Sequence, residues 1–403
     1  MRQRPRMEFR RDRLTWTAYA LNAWFAYLQA APGLVIAHLR DELDLSYSTG
    51  GLHVAAFAAG SVVAGFVSAR LERALGRRTL LWSAAALMGM GAIGLTAGRI
   101  AEATVGSVLV MGVGGGLLLV TIQAGLADHH GDRRAVALAE ATLAASIAYV
   151  ALTGALSLTA ALHAGWRLPL LASLAIPALT WWSNRRMAID APSPSRAAHG
   201  RLPSVFRVAA AMLFCTTAAE WCITAWGATF VGDTTAVSAD TAVALMAGYF
   251  GGMVAGRTLG SRLARRHDPA RLLALALAVT ATGFAILWPS VAPAQALLGL
   301  ALLGIGLGNL FPMGVSVTVA LAPERTALAS GRAVAMTSFA VLVAPLTVGT
   351  LADATSLTAA LGVVPVMLVL AAAGLTLVRR AGSPAPDGAH AGVAAPRAGP
   401  RSR

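Results

Sequence analysis

Charge is scarce in this sequence, and lysine is missing altogether. Only 12% of the 403 residues are charged, and all 32 basic side chains are arginine. A water-soluble chain of this length needs far more polar surface around its core, so a soluble globular protein is excluded. Cysteine is nearly absent too: Cys215 and Cys222 are the only two, and both fall in one apolar run. Seven residues apart on a helix, they are separated by about 10 Å, which is beyond disulfide reach. Nucleotide-binding signatures are lacking as well. Gly112-Val113-Gly114-Gly115-Gly116 follows no strand and precedes no Gly-Lys-Ser, so it is not a phosphate loop. No nucleophile, base and orienting group stand together at catalytic spacing, and an enzyme is not expected. Nor is a cofactor or a metal: Asp128-His129-His130-Gly131-Asp132 reads as solvated loop charge rather than a ligand set.

What the sequence does have is long apolar stretches. It is 57% hydrophobic with a mean hydropathy of +0.66. Runs of about 20 apolar residues match the ~30 Å hydrocarbon layer, where backbone polar groups must be bonded within the segment. The runs lack the two-residue alternation of a membrane barrel, so helices are expected. They fall at 14–38, 49–69, 79–98, 103–127, 135–162 and 165–184, and again at 206–231, 239–261, 272–290, 294–320, 327–351 and 356–378. The fold class read from this is an all-α membrane protein with twelve transmembrane helices. Its organisation is a cytoplasmic N-terminal segment 1–13, a six-helix bundle 14–184, a cytoplasmic linker 185–205, a second six-helix bundle 206–380 and a disordered cytoplasmic tail 381–403. No cleavable signal is read at the start, because the Arg-rich segment leads into a run too long for a signal-peptide core.

The net charge of +14 could suggest nucleic acid, but the arginines lie between the apolar runs, which is the orientation signal of a multi-span protein. With the N-terminus in the cytoplasm, the inside loops hold Arg70, Arg73, Arg77, Arg78, Arg133, Arg134, Arg262, Arg265, Arg266, Arg271 and Arg325, while the outside loops hold only Arg40, Arg99 and Arg167. Both termini are then cytoplasmic, the bilayer is the partner, nucleic acid is not, and a monomer is expected in the cytoplasmic membrane.

The halves also repeat one another. At an offset of 192 residues, the distance from Gly112 to Gly304, GVGGG lies on GIGLG, Asp132-Arg133 on Glu324-Arg325, Ser146 on Ser338 and Glu140 on Arg332 without a gap. The same offset sets Gly60, Arg70, Leu71 and Arg73 on Gly252, Arg262, Leu263 and Arg265. Two helical halves in an apolar chain are the mark of a repeat-built membrane protein.

Six plus six spans, a cytoplasmic middle linker and an Arg-rich loop after span 2 resemble the major facilitator superfamily of secondary transporters, over about residues 14–380. Gly76-Arg77-Arg78 matches that family's loop after span 2, although Arg73 stands at its acidic position and Glu72 one residue early. The second-half echo GRTLGSRLARR (256–266), Gly165-Trp166-Arg167, GLGNLFP (306–312) and Ala344-Pro345 with Gly349 are similar to the family too. Departures are Val108, where many proton-driven antiporters of the family carry Arg, and the absence of a Gly-Pro pair from span 5. The resemblance implies two bundles related by a pseudo-two-fold axis that rock around a central cavity.

Ionisable groups inside a bilayer are functional candidates by default. Glu220 lies about 14 residues into span 7, past mid-depth, with Trp221 and Trp226 beside it. It is a candidate for carrying a proton or binding a cation; the alternative is a static pairing with Tyr, His or Arg. Glu140 and Arg332 sit at matched depth on spans 5 and 11, and Arg257 is similarly deep on span 8. If span 5 meets span 8, Glu140 bridges Arg257 in the outward-open state and releases it in the inward-open one, leaving Arg332 for an anionic group; a static tie is the alternative. Arg77 and Arg78 join these as gate candidates. Asn22, Trp24, Tyr27 and Gln29 on span 1, Gln123 on span 4, Trp221 and Trp226 on span 7 and Asn309 on span 10 are candidate cavity residues, since an unpaired buried amide is costly. The sequence thus points to a secondary transporter of a small organic solute, driven by a proton or solute gradient. Export is favoured over uptake; an uptake permease, or a non-transporting sensor on the same scaffold, are the alternatives.

Overall fold

A computed structural model describes residues 10–187, 189 and 202–382, and within them the regular structure is helical throughout. The first nine residues, most of the 185–205 linker and the tail past Gly382 lie outside the described residues. The first half comprises α1 (Arg13–Leu43), α2 (Tyr47–Leu75), α3 (Arg77–Ala97), α4 (Ala101–His130), α5 (Arg134–Ala161), α6 (Arg167–Ala172) and α7 (Ala175–Asn184). The second comprises α8 (Val205–Thr235), α9 (Ala239–Leu263), α10 (Pro269–Leu287), α11 (Pro293–Ala320), α12 (Thr326–Ala354), α13 (Leu357–Ala360) and α14 (Val363–Gly382).

By length and composition, 10 stretches are able to cross a membrane. One of these, Ala101–Ala161, is the two helices α4 and α5, which part at Gly131, a residue with φ of 49°. The sixth run is not one helix. Pro177 cannot donate to the carbonyl of Ser173 and its ring crowds that carbonyl, so the chain turns at 173–174 and resumes with Ile176 N–H donating to Ser173 O at 3.0 Å. The twelfth run breaks the same way one turn before Pro365, where Val364 N–H reaches Leu361 O at 2.9 Å. Counting α6 with α7 and α13 with α14, the described residues supply twelve spans. Large apolar side chains face outward, among them Phe66 at 80% exposure and Trp182 at 68%. Water would not tolerate such a surface, whereas lipid does.

The halves are built alike down to single contacts. In α4, Gly112 lies against the backbone of Phe57, and Gly304 in α11 lies against that of Tyr249, the residue 192 positions after Phe57. Gly114 and Gly306 repeat the relation, meeting Met88 with Ala84 and Thr280 with Ala276. Gly60 meets Leu109 and Val113, as Gly252 meets Ala301 and Ile305. Helix ends follow the same register. Ser46 caps α2 by accepting from Thr49 N–H, and Ser238 caps α9 by accepting from Thr241 N–H. Asp44 and Ala236 end α1 and α8 in the left-handed region, at φ of 50° and 52°.

Between the halves, α2 packs on α12, α5 on α9 and α1 on α8. At the last of these crossings Gly33 touches Thr224 and Ala225 backbone, and Ala225 is its own repeat mate. Residues that meet their mates across a two-fold lie on its axis, so α1 and α8 cross there.

These contacts generate a test. A Cβ at Gly304 would sit 2.0 Å from the Tyr249 carbonyl oxygen, whereas one at Gly65 meets nothing within 4 Å. Gly304→Ala is expected to destabilise the folded protein by roughly 1–3 kcal/mol through overpacking, read as a lower thermal midpoint in detergent. Gly65→Ala leaves the midpoint unchanged or slightly raised.

Candidate functional site

Five helices bring polar groups together at mid-depth, where α5 meets α9. From α9, Arg257 crosses to the first half: Nη1 donates to Ser146 Oγ on α5 at 2.5 Å, and Nε donates to the Gly308 carbonyl of α11 at 3.3 Å. One turn along α5, Tyr149 OH donates to Gln29 Oε1 of α1 at 3.1 Å. Its ring packs on Phe250 of α9 with centroids 5.3 Å apart. Tyr249 is buried behind, its hydroxyl 3.0 Å from Thr224 Oγ1 of α8.

Glu220 is the middle residue of the 31-residue α8. Its carbonyl accepts from Thr224 Oγ1 at 2.9 Å and from Tyr249 OH at 3.3 Å. Its carboxylate makes no hydrogen bond or ion pair among the described residues. Arg257 is close enough to act on it through the field, yet its guanidinium is bonded elsewhere. Gln29, Tyr149, Glu220, Trp221 and Arg257 all keep part of their surface open, although they lie deep between the halves. The result is a part-open cluster deep between the bundles that holds a carboxylate and a guanidinium, with an amide and aromatic side chains on the same helices.

The remaining candidates divide by what they touch. Asn22 Nδ2 donates to Ala141 O at 2.8 Å, Trp24 Nε1 to Ser173 Oγ at 3.1 Å and Tyr27 OH to Pro169 O at 3.2 Å. All three tie α1 to its own bundle. Asn309 Nδ2 donates to Gly256 O at 2.8 Å, bracing α9 against α11. Gln123 is exposed on α4, away from the central cluster.

Trp226 is fully buried and belongs to a seal at the arginine-poor end. Its Nε1 donates to Pro345 O at 2.9 Å, and its ring lies 5.8 Å from that of Tyr47. There Asp353, near the end of α12, accepts from the Tyr47 and Ser48 backbone N–H groups at 2.7 and 2.8 Å. An anion at the N-terminus of α2 is well placed, because that helix end carries partial positive charge. Tyr47 OH donates to Asp233 at 3.1 Å, the Arg40 guanidinium stacks 3.5 Å from the Tyr47 ring centre, and His38 meets Asp240 at 2.9 Å.

Glu140 and Arg257 do not meet in this state. Arg257 reaches α5 at Ser146, six residues or about 9 Å deeper than Glu140. Glu140 is taken instead by Arg11, at 2.6 and 2.9 Å, and by Tyr19 OH at 3.0 Å. The residues leading into α1 and its first turn stitch this end of the first bundle together. Arg13 Nε donates to Asn184 Oδ1 at 2.6 Å, and Asp12 pairs with His129 at 2.7 Å. Burial pushes the Asp12 carboxyl up, but the Thr15 and His129 hydrogen bonds outweigh it and hold it below its usual range. His130 Nε2 lies 2.9 Å from Thr15 Oγ1, and Asp128 accepts from Arg77 at 2.8 Å, so Asp128, His129 and His130 at the end of α4 make inter-helix ties. Arg77 is buried between Asp128 and Glu72, the latter at 2.5 Å, while Arg78 is exposed. Arg332 is exposed on α12, away from the α5–α9 seam.

Sequence reasoning passed over Tyr149, Tyr249, Phe250 and Thr224. The available signal was that two of only five tyrosines fall in spans 5 and 8, the pair expected to meet.

The charged bond from Arg257 to Ser146 holds the halves together in this state, and such bonds are worth roughly 1.5–3 kcal/mol. Ser146→Ala is therefore expected to shift the population toward opening at the arginine-poor end. Maleimide labelling of Ser48→Cys then accelerates about tenfold or more, with the buried Cys215 and Cys222 as silent background. An unaltered rate would show that this bond does not hold the state.

The comparisons with known proteins agree with this architecture. The sequence model of the Major Facilitator Superfamily matches residues 15–211 and again 209–401. Among curated proteins no relative matches the sequence. The structure is similar to an inward-facing, occupied bacterial homologue of the human lysosomal transporter Spinster, at TM-score 0.75 and 13% identity over 93% of this chain and 98% of that one. It is also similar to the nucleoside transporter NupG, at 0.74 and 11% over 92% and 100%, and to a D-xylose–proton symporter, at 0.73 and 15% over 91% and 96%. This chain, with both of its halves matched, belongs to the Major Facilitator Superfamily of membrane transporters for small solutes.

Proposed function

We propose that the chain is a secondary transporter that moves a small organic solute across the cytoplasmic membrane by alternating access, with Glu220 carrying the coupled proton. The observation that carries this reading is the unpartnered Glu220 carboxylate at the midpoint of α8, beside Arg257 but not bonded to it. A carboxyl in the middle of a bilayer persists only when paired, hydrated or protonated. One without a protein partner is free to exchange a proton with water in the space it faces.

Arg257 supplies the link from proton to motion. Ionised Glu220 competes with Ser146 for the guanidinium and draws it toward α8, loosening α5 from α9. Protonated Glu220 leaves Arg257 on Ser146, and the arrangement closed at the arginine-poor end is favoured. With the arginine-rich loops in the cytoplasm, that closed end faces outside and both termini lie inside. Gln29 and Ser146 offer hydrogen bonds to a solute, and Tyr149 and Trp221 offer aromatic faces. These aromatic faces favour export of a hydrophobic or amphipathic compound. Coupling to protons is supported by the likeness to a D-xylose–proton symporter.

The test is flux in proteoliposomes across a panel of solutes, with and without an imposed pH gradient. Glu220→Gln is expected to abolish pH-driven flux while the protein stays monodisperse and thermally intact. Wild-type pH-driven flux in this variant would remove Glu220 from the mechanism.

A further inference from the structure

The second bundle carries a cleft that the transport site does not use. It lies between α8 and α12 at the arginine-rich end, has a volume of about 520 Å³, and is flanked by Arg207 and Arg332. Arg207 is the third residue of α8 and Arg332 the seventh of α12, so both are within about 9 Å of their helix starts. Both side chains are exposed, and neither makes a hydrogen bond or ion pair among the described residues. Among the described residues no acidic side chain lines the cleft; its walls are Phe206, Ala210, Ala335, Met336 and Phe339.

Polarity changes along this cleft in one direction. The two guanidinium groups stand near the helix starts beside the buried Phe206, while about two turns deeper the wall is Phe339, its ring 5.8 Å from that of Phe214. Phe339 remains 53% exposed, so an apolar surface is left uncovered next to the charges. A free anion would use the arginines and leave the aromatic floor bare. A neutral hydrocarbon would do the reverse. The ligand that uses both is an amphiphile with a phosphate head and an acyl tail, and arginine pairs at helix ends suit phosphate oxygens in number and geometry.

We propose that this cleft is a binding site for an anionic phospholipid, with its phosphate between Arg207 and Arg332 and an acyl chain along Met336 and Phe339. The site is independent of Glu220 and of the proton-coupled reading. Through α12, whose far end carries Asp353 of the seal, a bound lipid touches an element that must move during transport.

The full chain, delipidated in neutral detergent, would be mixed with vesicles of phosphatidylglycerol and phosphatidylcholine, repurified, and its retained lipid measured by native mass spectrometry. Phosphatidylglycerol is expected to be retained over phosphatidylcholine. The double variant R207Q/R332Q should lose that preference by roughly tenfold or more, since each basic side chain contributes about a fivefold attraction to anionic lipid. The variant R207K/R332K should keep it. Equal retention of both lipids by the wild type, an undiminished preference in the Gln variant, or displacement of the lipid by millimolar inorganic phosphate would overturn the proposal. Should the Gln variant fail to fold, the wild-type lipid preference and the phosphate competition still decide.

Discussion

A helix surrounded by hydrocarbon gains nothing from hiding its leucines against a neighbour, because lipid tails are as apolar as leucine. Close contact must hold it instead, and close contact requires small residues. This constraint governs α4 and α11. Their glycines let the Phe57 and Tyr249 backbones come so near that a Cβ would stand 2.2 and 2.0 Å from the carbonyl oxygens. Both halves solve the problem with the same residues at the same register. In the proposed transport cycle motion falls at the seams between them, where α1 crosses α8 on the pseudo-two-fold and α2 and α5 meet α12 and α9.

The proposed coupling residues sit where the repeat fails. Glu220 corresponds to Leu28 in the first half, and Arg257 to Gly65. A carboxylate and a guanidinium have thus been placed on one side only of a symmetric frame. Their mates, an apolar side chain and a glycine, have no charge to offer. Symmetry explains how the halves move alike, and its local loss explains why one half carries the ionisable groups. The seal is unequal too: Asp353 caps α2 through two backbone bonds, while its mate in the first half is Ala161.

Much of this was legible in the sequence because hydrocarbon imposes long, uniform runs, and the repeat imposes a register that survives without gaps. The approach of span 5 to span 8 follows from the family resemblance, and α5 does pack on α9. What escaped was set by distant or local geometry. The partner of Glu140 proved to be Arg11, 129 residues away in sequence, on a short polar segment with no periodicity to place it. Span 6 read as one run, although Pro169 and Pro177 stood within it and the break falls one turn before the second. Asn22, Trp24 and Tyr27 looked like cavity residues by depth alone. Depth does not fix azimuth, and their faces turn toward α5 and α6. Gln29, on the same helix, does turn toward the centre, where it meets Tyr149.

In the proposed transport cycle, two repeats pivot as bodies about the α1–α8 crossing. The most direct measurement of this pivot is a pair of spin-label distances in lipid nanodiscs, one between Thr49 and Thr350 at the arginine-poor ends of α2 and α12, the other between Gln123 on α4 and Ser316 on α11. As pH rises through the titration of a buried carboxyl, the first distance is expected to lengthen as the second shortens, with both changes absent in Glu220→Gln. Distances that stay fixed, or that lengthen together, would contradict the pivot.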